Sequence, residues 1–252
     1  MKKLFCLMLL SSVGLAGSLA WADGRQDSLD RLKMSTEVLQ AIMAAPDNGI
    51  PEEVLVSAKC IMVVPHLIKA GFIFGGKHGR GIATCRTASG WSAPAFISVG
   101  GGSWGLQIGV EAVDLVMLVM NEQGMQHLLS SKFQLSGEGS AAAGPVGRHA
   151  SAGTDWKLNA EILTYSRSKG LFAGITLEGA VVEQDNDSTR AIYNKKLPFR
   201  TVLSGKTATP AVAAEFMRAV VAASRQARAS DAKEEAKDAR EDAREAREEA
   251  RK

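Results

Sequence analysis

The chain has 252 residues, a net charge of +3 and 46% hydrophobic residues. This balance excludes the strongly basic class of nucleic-acid-binding proteins, and the length is sufficient for a buried core. The four histidines are scattered, and no cysteine or histidine spacing is typical of a metal site. We therefore expect neither a metal nor a cofactor.

The N-terminus has the three parts of a secretory signal peptide. Lys2 and Lys3 precede an uncharged apolar run over residues 4–17, and Ala20-Trp21-Ala22 provides small residues for cleavage. The apolar run is shorter than the roughly 20 residues that a spanning helix needs. Cys6 is not in the context of a lipid-attachment site. We expect residues 1–22 to be removed, giving a periplasmic or secreted protein that is not a lipoprotein.

Residues 23–57 are predicted to be helical. A first helix is indicated by apolar residues that recur at helical spacing, namely Leu29, Leu32, Val38, Leu39, Ile42 and Met43. The turn residues Pro46-Asp47-Asn48-Gly49 end it. A short second helix is expected to start at Pro51-Glu52-Glu53, because proline and acids favour a first turn.

From residue 58 to residue 193 the pattern changes to short apolar or alternating segments separated by glycine, proline, serine and lysine. Closely spaced segments of this kind are typical of antiparallel strands, and glycines within them favour bends. One stretch, 121–132, has helical character. The predicted class is α+β: an antiparallel β-rich core of short, strongly bent strands, with N-terminal helices, one short internal helix and a long C-terminal charged helix.

The C-terminal region consists of a polar connector over 194–209 and a helix over 210–252. From Asp231 onward the sequence contains only Asp, Glu, Lys, Arg and Ala, and its alanines recur at steps of four and three residues. This spacing is typical of a coiled-coil seam, although alanine buries little area. A solvated single helix, weak self-association and docking on an envelope protein all fit this pattern.

The cysteines Cys60 and Cys85 form an even pair in the predicted mature chain. Both lie in strand-like segments that a hairpin would bring together, and an oxidising compartment favours a disulfide. Two buried free thiols are the alternative, because free cysteine packs well in cores.

The stretch VGGGSWG at 99–105 matches two catalytic motifs. Its glycines fit a dinucleotide-binding turn, and the pattern around Ser103 fits the nucleophile elbow of a serine hydrolase, with Asp114 and His149 as partners. Both motifs require a helix after the turn, but GLQIGVEAV alternates with the period of a strand. We therefore expect no enzymatic activity, and a hydrolase that uses Ser103 is only a third hypothesis.

A family resemblance accounts for the same glycines. Five stretches, in order and with compatible spacing, resemble the SYLF domain, also called the Ysc84 actin-binding domain: AKCIMVVPHLIKAGFIFGGKHGRG (58–81), WSAPAFISVGGGSWGLQIG (91–109), DLVMLVMN (114–121), SAAAGPVGR (140–148) and YSRSKGLFAGITLEG (165–179). Eukaryotic members are associated with phosphoinositide membranes and actin, and bacterial members are exported envelope proteins. The resemblance thus implies an exported, non-enzymatic lipid-binding protein.

Basic turns are the expected contacts with anionic lipid head groups. The candidate residues are Lys69, Lys77, Arg80, Arg148, Arg167 and Lys169. Each is alternatively a solvated turn residue, and Arg148 or Arg167 would alternatively pair with a core acid such as Glu111, Asp114 or Glu178. The second hypothesis for function is an envelope structural or interaction protein that binds a partner, or a second copy, through its terminal helices.

Overall fold

The computed structural model describes residues 24–41, 43–44, 49–71, 74–104, 109–135, 141–146, 160–168, 171–174, 177 and 179–251. Within these residues the chain has the predicted α+β fold, with helices on both faces of one curled, mainly antiparallel sheet. The predicted signal peptide lies outside the described residues.

The described helices include the predicted N-terminal, internal and C-terminal ones. They are α1 (residues 24–41), α2 (Glu52–Ser57), α3 (Glu122–Leu129), α4 (Asn186–Tyr193), α5 (Phe199–Leu203) and α6 (Ala214–Glu249), the last preceded by a 3-10 turn at Ala211–Ala213. Side chains mark two of the starts. Asn121 accepts a hydrogen bond from the Gly124 amide at the start of α3, and Asp185 accepts one from the Ser188 amide at the start of α4.

Ten described strands form the sheet. They are β1 (Cys60–Gly71), β2 (Phe74–Thr87), β3 (Gly90–Trp91), β4 (Ala95–Trp104), β5 (Gly109–Val119), β6 (Lys132–Gln134), β7 (Ala141–Ala143), β8 (Ile162–Ser168), β9 (Leu171–Gly174) and β10 (Val181–Gln184). The order is β6-β10-β4-β2-β1-β5-β8-β7, with β3 beside β2 and β9 beside β8. Among the pairings of these described strands, only β7–β8 is parallel.

The central strands are longer than the short segments expected from the sequence. β1 has 12 residues and β2 has 14. β1 is long because it continues through Pro65 and His66 instead of ending there. Its register against β5 shifts between Val64 and Leu67, and His66 adopts a φ of 51°. The His66 amide donates to Asp114 Oδ1 at 3.1 Å. This bulge bends the strand without ending it.

Two apolar cores lie on opposite faces of the sheet. Alternate residues of β1 divide between them, so that Met62 and Val64 enter the first core and Ile61 and Val63 the second. Helices α3 and α5 cover the first core, which the sheet curls around. Helices α1, α2, α4 and the first part of α6 cover the second.

Cross-strand pairing brings Cys60 directly opposite Cys85 on β1 and β2. The two sulfurs are bonded at 2.07 Å, and both residues are buried in the first core. The structure thus contains the disulfide rather than the two free thiols that the sequence left as an alternative.

Arg86 connects three elements beside this disulfide. Its guanidinium donates to the carbonyl oxygens of Leu55 and Val56 at the end of α2 and to Ser224 Oγ on α6. It also lies 4.5 Å from the centre of the Trp91 ring. Burial lowers the pKa of Arg86, and the charge of Arg228 lowers it further.

Two helices were not predicted, α4 and α5. The polar connector predicted over 194–209 contains α5, whose residues Phe199, Val202 and Leu203 are buried in the first core. Within the described part of the chain, no helix is both long and apolar enough to cross a membrane.

Candidate functional site

Four strands continue beyond both cores at one end of the sheet. We call this region the sheet extension and define it as residues 68–71 of β1, 74–78 of β2, 100–104 of β4 and 109–112 of β5. The neighbour β8 pairs with β5 only from Asp114 onward, and β10 pairs with β4 only up to Gly100. Among the described residues, the outer edges of the extension therefore have almost no further strand beside them.

One face of the extension carries charge. Lys69 lies directly opposite Lys77 on β2 and directly opposite Glu111 on β5. Both lysines are half-buried and Glu111 is exposed. This row, which we call the lysine face, continues the side of the sheet that bears the first core. Like charges placed opposite each other across two strands repel, and the Glu111 carboxylate opposite Lys69 offsets part of this repulsion.

The other face carries exposed apolar side chains, several glycines and the exposed His78, which lies directly opposite Ile68. Ile68 is 49% exposed and Val110 is 78% exposed, on neighbouring strands. Beside them lie Gly76, Gly100 and Gly102, so we call this the glycine face. A Cβ atom added at any of these three glycines would meet no atom nearer than 3.9 Å. Packing therefore does not require glycine at these positions.

Other glycines of the same strands are needed for packing. A Cβ at Gly81 would lie 2.3 Å from the Val63 carbonyl oxygen, and one at Gly101 would lie 2.8 Å from the Gly179 carbonyl oxygen. Because glycine in a strand costs about 0.5–1 kcal/mol relative to alanine, the open glycines need another explanation. Close approach of a ligand or surface to the backbone is one that recurs in strands.

We expect the two kinds of glycine to respond differently to alanine. Gly102→Ala should leave the free energy of unfolding unchanged or raise it by up to about 1 kcal/mol. Gly81→Ala should lower it by about 1–3 kcal/mol, because the new methyl group collides with backbone. Urea denaturation of both variants checks this. Equal destabilisation by the two substitutions would mean that Gly102 is also a packing residue.

The structure brings together only some of the predicted basic residues. Lys69 and Lys77 are neighbours, whereas Arg80 lies at the inner margin of the glycine face and pairs with Asp27 at 3.0 Å. Arg167 lies within β8 rather than in a turn and pairs with Asp114 at 2.9 Å. For Arg167 the alternative of pairing with a core acid is therefore what the structure contains. The remaining candidates, Arg148 and Lys169, lie outside the described residues.

A buried charge network was missed by the sequence analysis. Arg31 on α1 is only 3% exposed and donates to Asp185 Oδ2 at 3.0 Å, to Ser188 Oγ at 3.1 Å and to Asp27 Oδ2 at 2.8 Å. Its guanidinium also lies 5.9 Å from the centre of the Phe96 ring. The spacing of Asp27 and Arg31, four residues apart on a helix, was the available indication.

The environment of Asp185 favours its charged form. Burial alone would raise the pKa of this carboxyl, but the hydrogen bonds from Ser188 and the ion pair with Arg31 outweigh burial and lower it. An open pocket of about 310 Å³ adjoins the network. It is lined by Gly24, Asp27, Arg80, Asp185, Asp187, Ser188, Arg190 and Ala191. We assign the network a structural role, joining α1 to the start of α4.

The catalytic alternatives lack their structural context. Ser103 lies near the end of β4, and the next described element is β5, where a nucleophile elbow or a dinucleotide turn requires a helix. Within the described ranges, no group of three His, Cys, Asp or Glu side chains is placed to hold a metal ion.

Comparison with known proteins identifies the family. Residues 100–223, from the sheet extension to the buried part of α6, match the family model described as Ysc84, Las17-binding protein actin regulator. The chain is 38% identical over 173 residues to an SH3 domain-containing protein of Schizosaccharomyces pombe, covering 67% of this chain and 40% of that protein. The chain belongs to the Ysc84 (SYLF-domain) family.

Other relatives in the Ysc84 family give the same result. Protein YSC84 of Saccharomyces cerevisiae is 34% identical over 176 residues, which is 68% of this chain and 37% of the yeast protein. The human SH3 domain-containing YSC84-like protein 1 is 33% identical over 173 residues, which is 68% of this chain and 50% of the human protein. The chain thus spans between 37% and 50% of the length of these relatives.

Proposed function

We propose that this chain binds anionic membrane surfaces, without enzymatic activity, through the sheet extension. The observation that carries the proposal is the exposure of Ile68 and Val110 on the face opposite the lysine face, at an end of the sheet that projects beyond both cores. A projecting end that carries both apolar and basic residues favours the interface between lipid head groups and acyl chains.

The lysine face supplies the electrostatic part of this binding. A basic residue near an anionic bilayer contributes about 1 kcal/mol, and salt weakens the attraction. Lys69 and Lys77 lie opposite each other, so both can face the same anionic head group. Arg80 and Arg167 are left out of the proposed site because they lie away from this pair, Arg80 on the other side of the sheet and Arg167 on β8.

The glycine face supplies the apolar part. Burying an exposed aliphatic side chain contributes up to about 1.5–3 kcal/mol when the burial is complete. The open glycines Gly76, Gly100 and Gly102 leave the backbone at their own positions free of side chains, while His78 lies directly opposite Ile68. A lipid surface can therefore approach the strands closely on this face.

We further propose that the chain works in the periplasm or outside the cell. The features that support this are the signal-peptide pattern of residues 1–22 and the Cys60–Cys85 disulfide. Disulfides persist in oxidising compartments and are rare in the cytosol. The ligand class of the proposal is accordingly an envelope lipid with an anionic head group.

Vesicle flotation tests the proposal. The chain from Asp23 onward contains every described residue, and it should float with vesicles of phosphatidylcholine and phosphatidylglycerol but not with phosphatidylcholine alone. Added salt should weaken the binding. Lys69→Glu/Lys77→Glu should lower the affinity by at least about tenfold, as expected from two contacts of about 1 kcal/mol each. Ile68→Ser/Val110→Ser should weaken the binding at low salt and at high salt alike.

Matched variants elsewhere on the chain provide the controls. Lys196→Glu/Lys206→Glu makes the same charge change at two exposed positions away from the extension, and Val212→Ser alters another exposed aliphatic residue, which is 42% exposed. Both should bind as the unmodified chain does. Failure of the unmodified chain to float would overturn the lipid proposal, and normal flotation of both extension variants would overturn the site.

Protein binding through the last helix is a second candidate function. Residues 236–251 are exposed throughout, and they lie beyond residues 100–223, the part that matches the family described as Las17-binding protein actin regulator. With filamentous actin as the probe, removal of residues 228–252 should abolish co-sedimentation and leave vesicle flotation unchanged. Co-sedimentation that survives the removal would assign actin binding to the matched residues instead, and absence of co-sedimentation by the intact chain would remove actin as the partner.

A further inference from the structure

Helix α6 continues well beyond the fold. Its last buried residue is Ala227, and from Ala236 to Arg251 every residue is exposed. At 1.5 Å per residue, the part from Arg228 to Glu249 extends by about 33 Å. A helix of this length, exposed from Ala236 onward and packed on none of the other described residues, presents all of its faces to other molecules.

The charges of this segment are sorted by heptad position. Alanine recurs at steps of three and four residues, at positions 229, 232, 236, 239, 243, 246 and 250, and we call this row the alanine seam. On one flank of the seam the residues are basic: Lys233, Arg240 and Arg247. On the other flank they are acidic: Glu235, Asp242 and Glu249. These flanks are the positions that carry charge pairs between helices of a coiled coil.

An isolated helix gains little from this arrangement, because favourable pairs such as Glu241 with Arg244 are offset by like charges four residues apart. Like charges meet at four-residue spacing at Arg240 and Arg244, at Arg247 and Arg251, and at Glu241 and Glu245, which destabilises a helix. Two ion pairs of the segment, Lys237–Glu241 at 3.7 Å and Arg244–Glu248 at 3.3 Å, have the base before the acid, which is the weaker orientation. The charge order therefore points to a second helix.

We propose that residues 229–250 pair in parallel with the same segment of a second copy of this chain. In a parallel pair, each acidic flank residue faces a basic flank residue five positions further along the other helix. Position 235 then lies opposite position 240 of the second copy, and Asp242 meets Arg247. Antiparallel pairing would bring acidic flank against acidic flank and basic against basic. The alanines alone select no partner; the flanking charges select both the partner and its direction.

The pairing is weak and depends on charge. Alanine lets the two helices approach closely but contributes little buried apolar area, so the flank pairs hold a large share of the association. Salt should therefore dissociate the dimer. The inference does not depend on membrane binding, since the segment lies outside the sheet extension.

Sedimentation velocity over a concentration series tests the association, with the chain from Asp23 onward. The unmodified chain should form a dimer, and Arg240→Glu/Arg247→Glu should raise its dissociation constant by at least about tenfold. Glu235→Lys/Asp242→Lys should do the same, and a mixture of the two variants should dimerise again. Lys237→Glu/Arg244→Glu makes the same charge change away from the flanks and should leave the dimer intact. A monomer at every concentration, or equal effects of flank and control variants, would overturn the proposal.

Cysteine cross-linking tests the direction. Cys60 and Cys85 are bonded to each other, so Ala250→Cys provides the single free thiol of the chain from Asp23 onward. Parallel pairing places residue 250 of the two copies together, and mild oxidation should give a cross-linked dimer. Glu241→Cys, on the outer side of the helix, should give none. Cross-linking that requires a mixture of Ala232→Cys and Ala250→Cys would show antiparallel pairing and refute the proposed direction.

Discussion

Replacement of Arg31 by alanine should lower the free energy of unfolding by about 3–5 kcal/mol. Arg31 is buried and donates to Asp185, Ser188 and Asp27. The Asp185 side chain is only 11% exposed, so its carboxylate would lose its counter-charge in a place where water cannot fully replace it. Removing one partner of a buried ion pair is costly for this reason, even where the intact pair adds little net stability. Urea denaturation at pH 7 measures the loss.

The same network predicts how stability depends on pH. The folded-state pKa of Asp185 is lowered, so it lies below the unfolded value of about 3.9. The stabilisation is then present above the unfolded pKa and is lost as the pH falls through the folded pKa. In Arg31→Ala the folded pKa moves up towards the unfolded value. The variant should therefore lose less additional stability than the unmodified protein when the pH is taken from 5 to below about 4.

Arg80→Ala is the matched control. Arg80 binds the same oxygen of Asp27 as Arg31 does, at 3.0 Å, but the Arg80 side chain is 52% exposed. An exposed ion pair contributes about 0–1 kcal/mol, so this substitution should cost no more than that. If the two alanine variants are equally stable, burial of Arg31 is not what makes its network important.

The elements that could be predicted from the sequence are those whose pattern is local. The apolar spacing of α1 and the low-complexity composition of α6 are visible within each segment. The length of β1 is not, because Pro65 and His66 indicate a turn. The strand continues because the His66 amide donates a hydrogen bond to Asp114, which is 48 residues away. A contact over that distance cannot be predicted from the local sequence pattern.

The two helices missed by the sequence analysis have a related explanation. α4 has eight residues and α5 has five, so neither is long enough for a clear helical period. The connector has a polar composition, with Lys195, Lys196 and Lys206. Between these lysines, however, α5 packs Phe199 in the first core. Tertiary packing decides the conformation of such short segments.

The candidate site was predictable in composition but not in arrangement. Counting basic residues found Lys69 and Lys77 together with Arg80 and Arg167. Only the strand register shows that the lysines share one face whereas Arg80 lies on the other. The carboxylates that engage Arg80 and Arg167 are each 53 residues distant in the chain. A basic cluster in a sequence therefore overstates the charge that one face of the fold presents to a ligand.

Replacement of both Cys60 and Cys85 by alanine should lower the free energy of unfolding by about 3–4 kcal/mol. The two residues are separated by 25 positions, and the chain entropy that a cross-link of this span removes from the unfolded state corresponds to that amount. The bond joins β1 to β2, which lie side by side in the sheet between β5 and β4. Urea denaturation of the double variant against the unmodified protein gives the difference.

The unmodified protein in its reduced form separates the cross-link from the packing of the sulfur atoms. Cys60 is 0% and Cys85 is 1% exposed, so a thiol reductant should reach the bond only through unfolding. The folded protein should therefore stay oxidised in reductant for as long as it stays folded, while protein unfolded in urea is reduced quickly. After reduction and refolding, most of the loss seen in the alanine variant should appear with every core atom still present. A reduced form as stable as the oxidised form would mean that the bond contributes nothing to the free energy of unfolding.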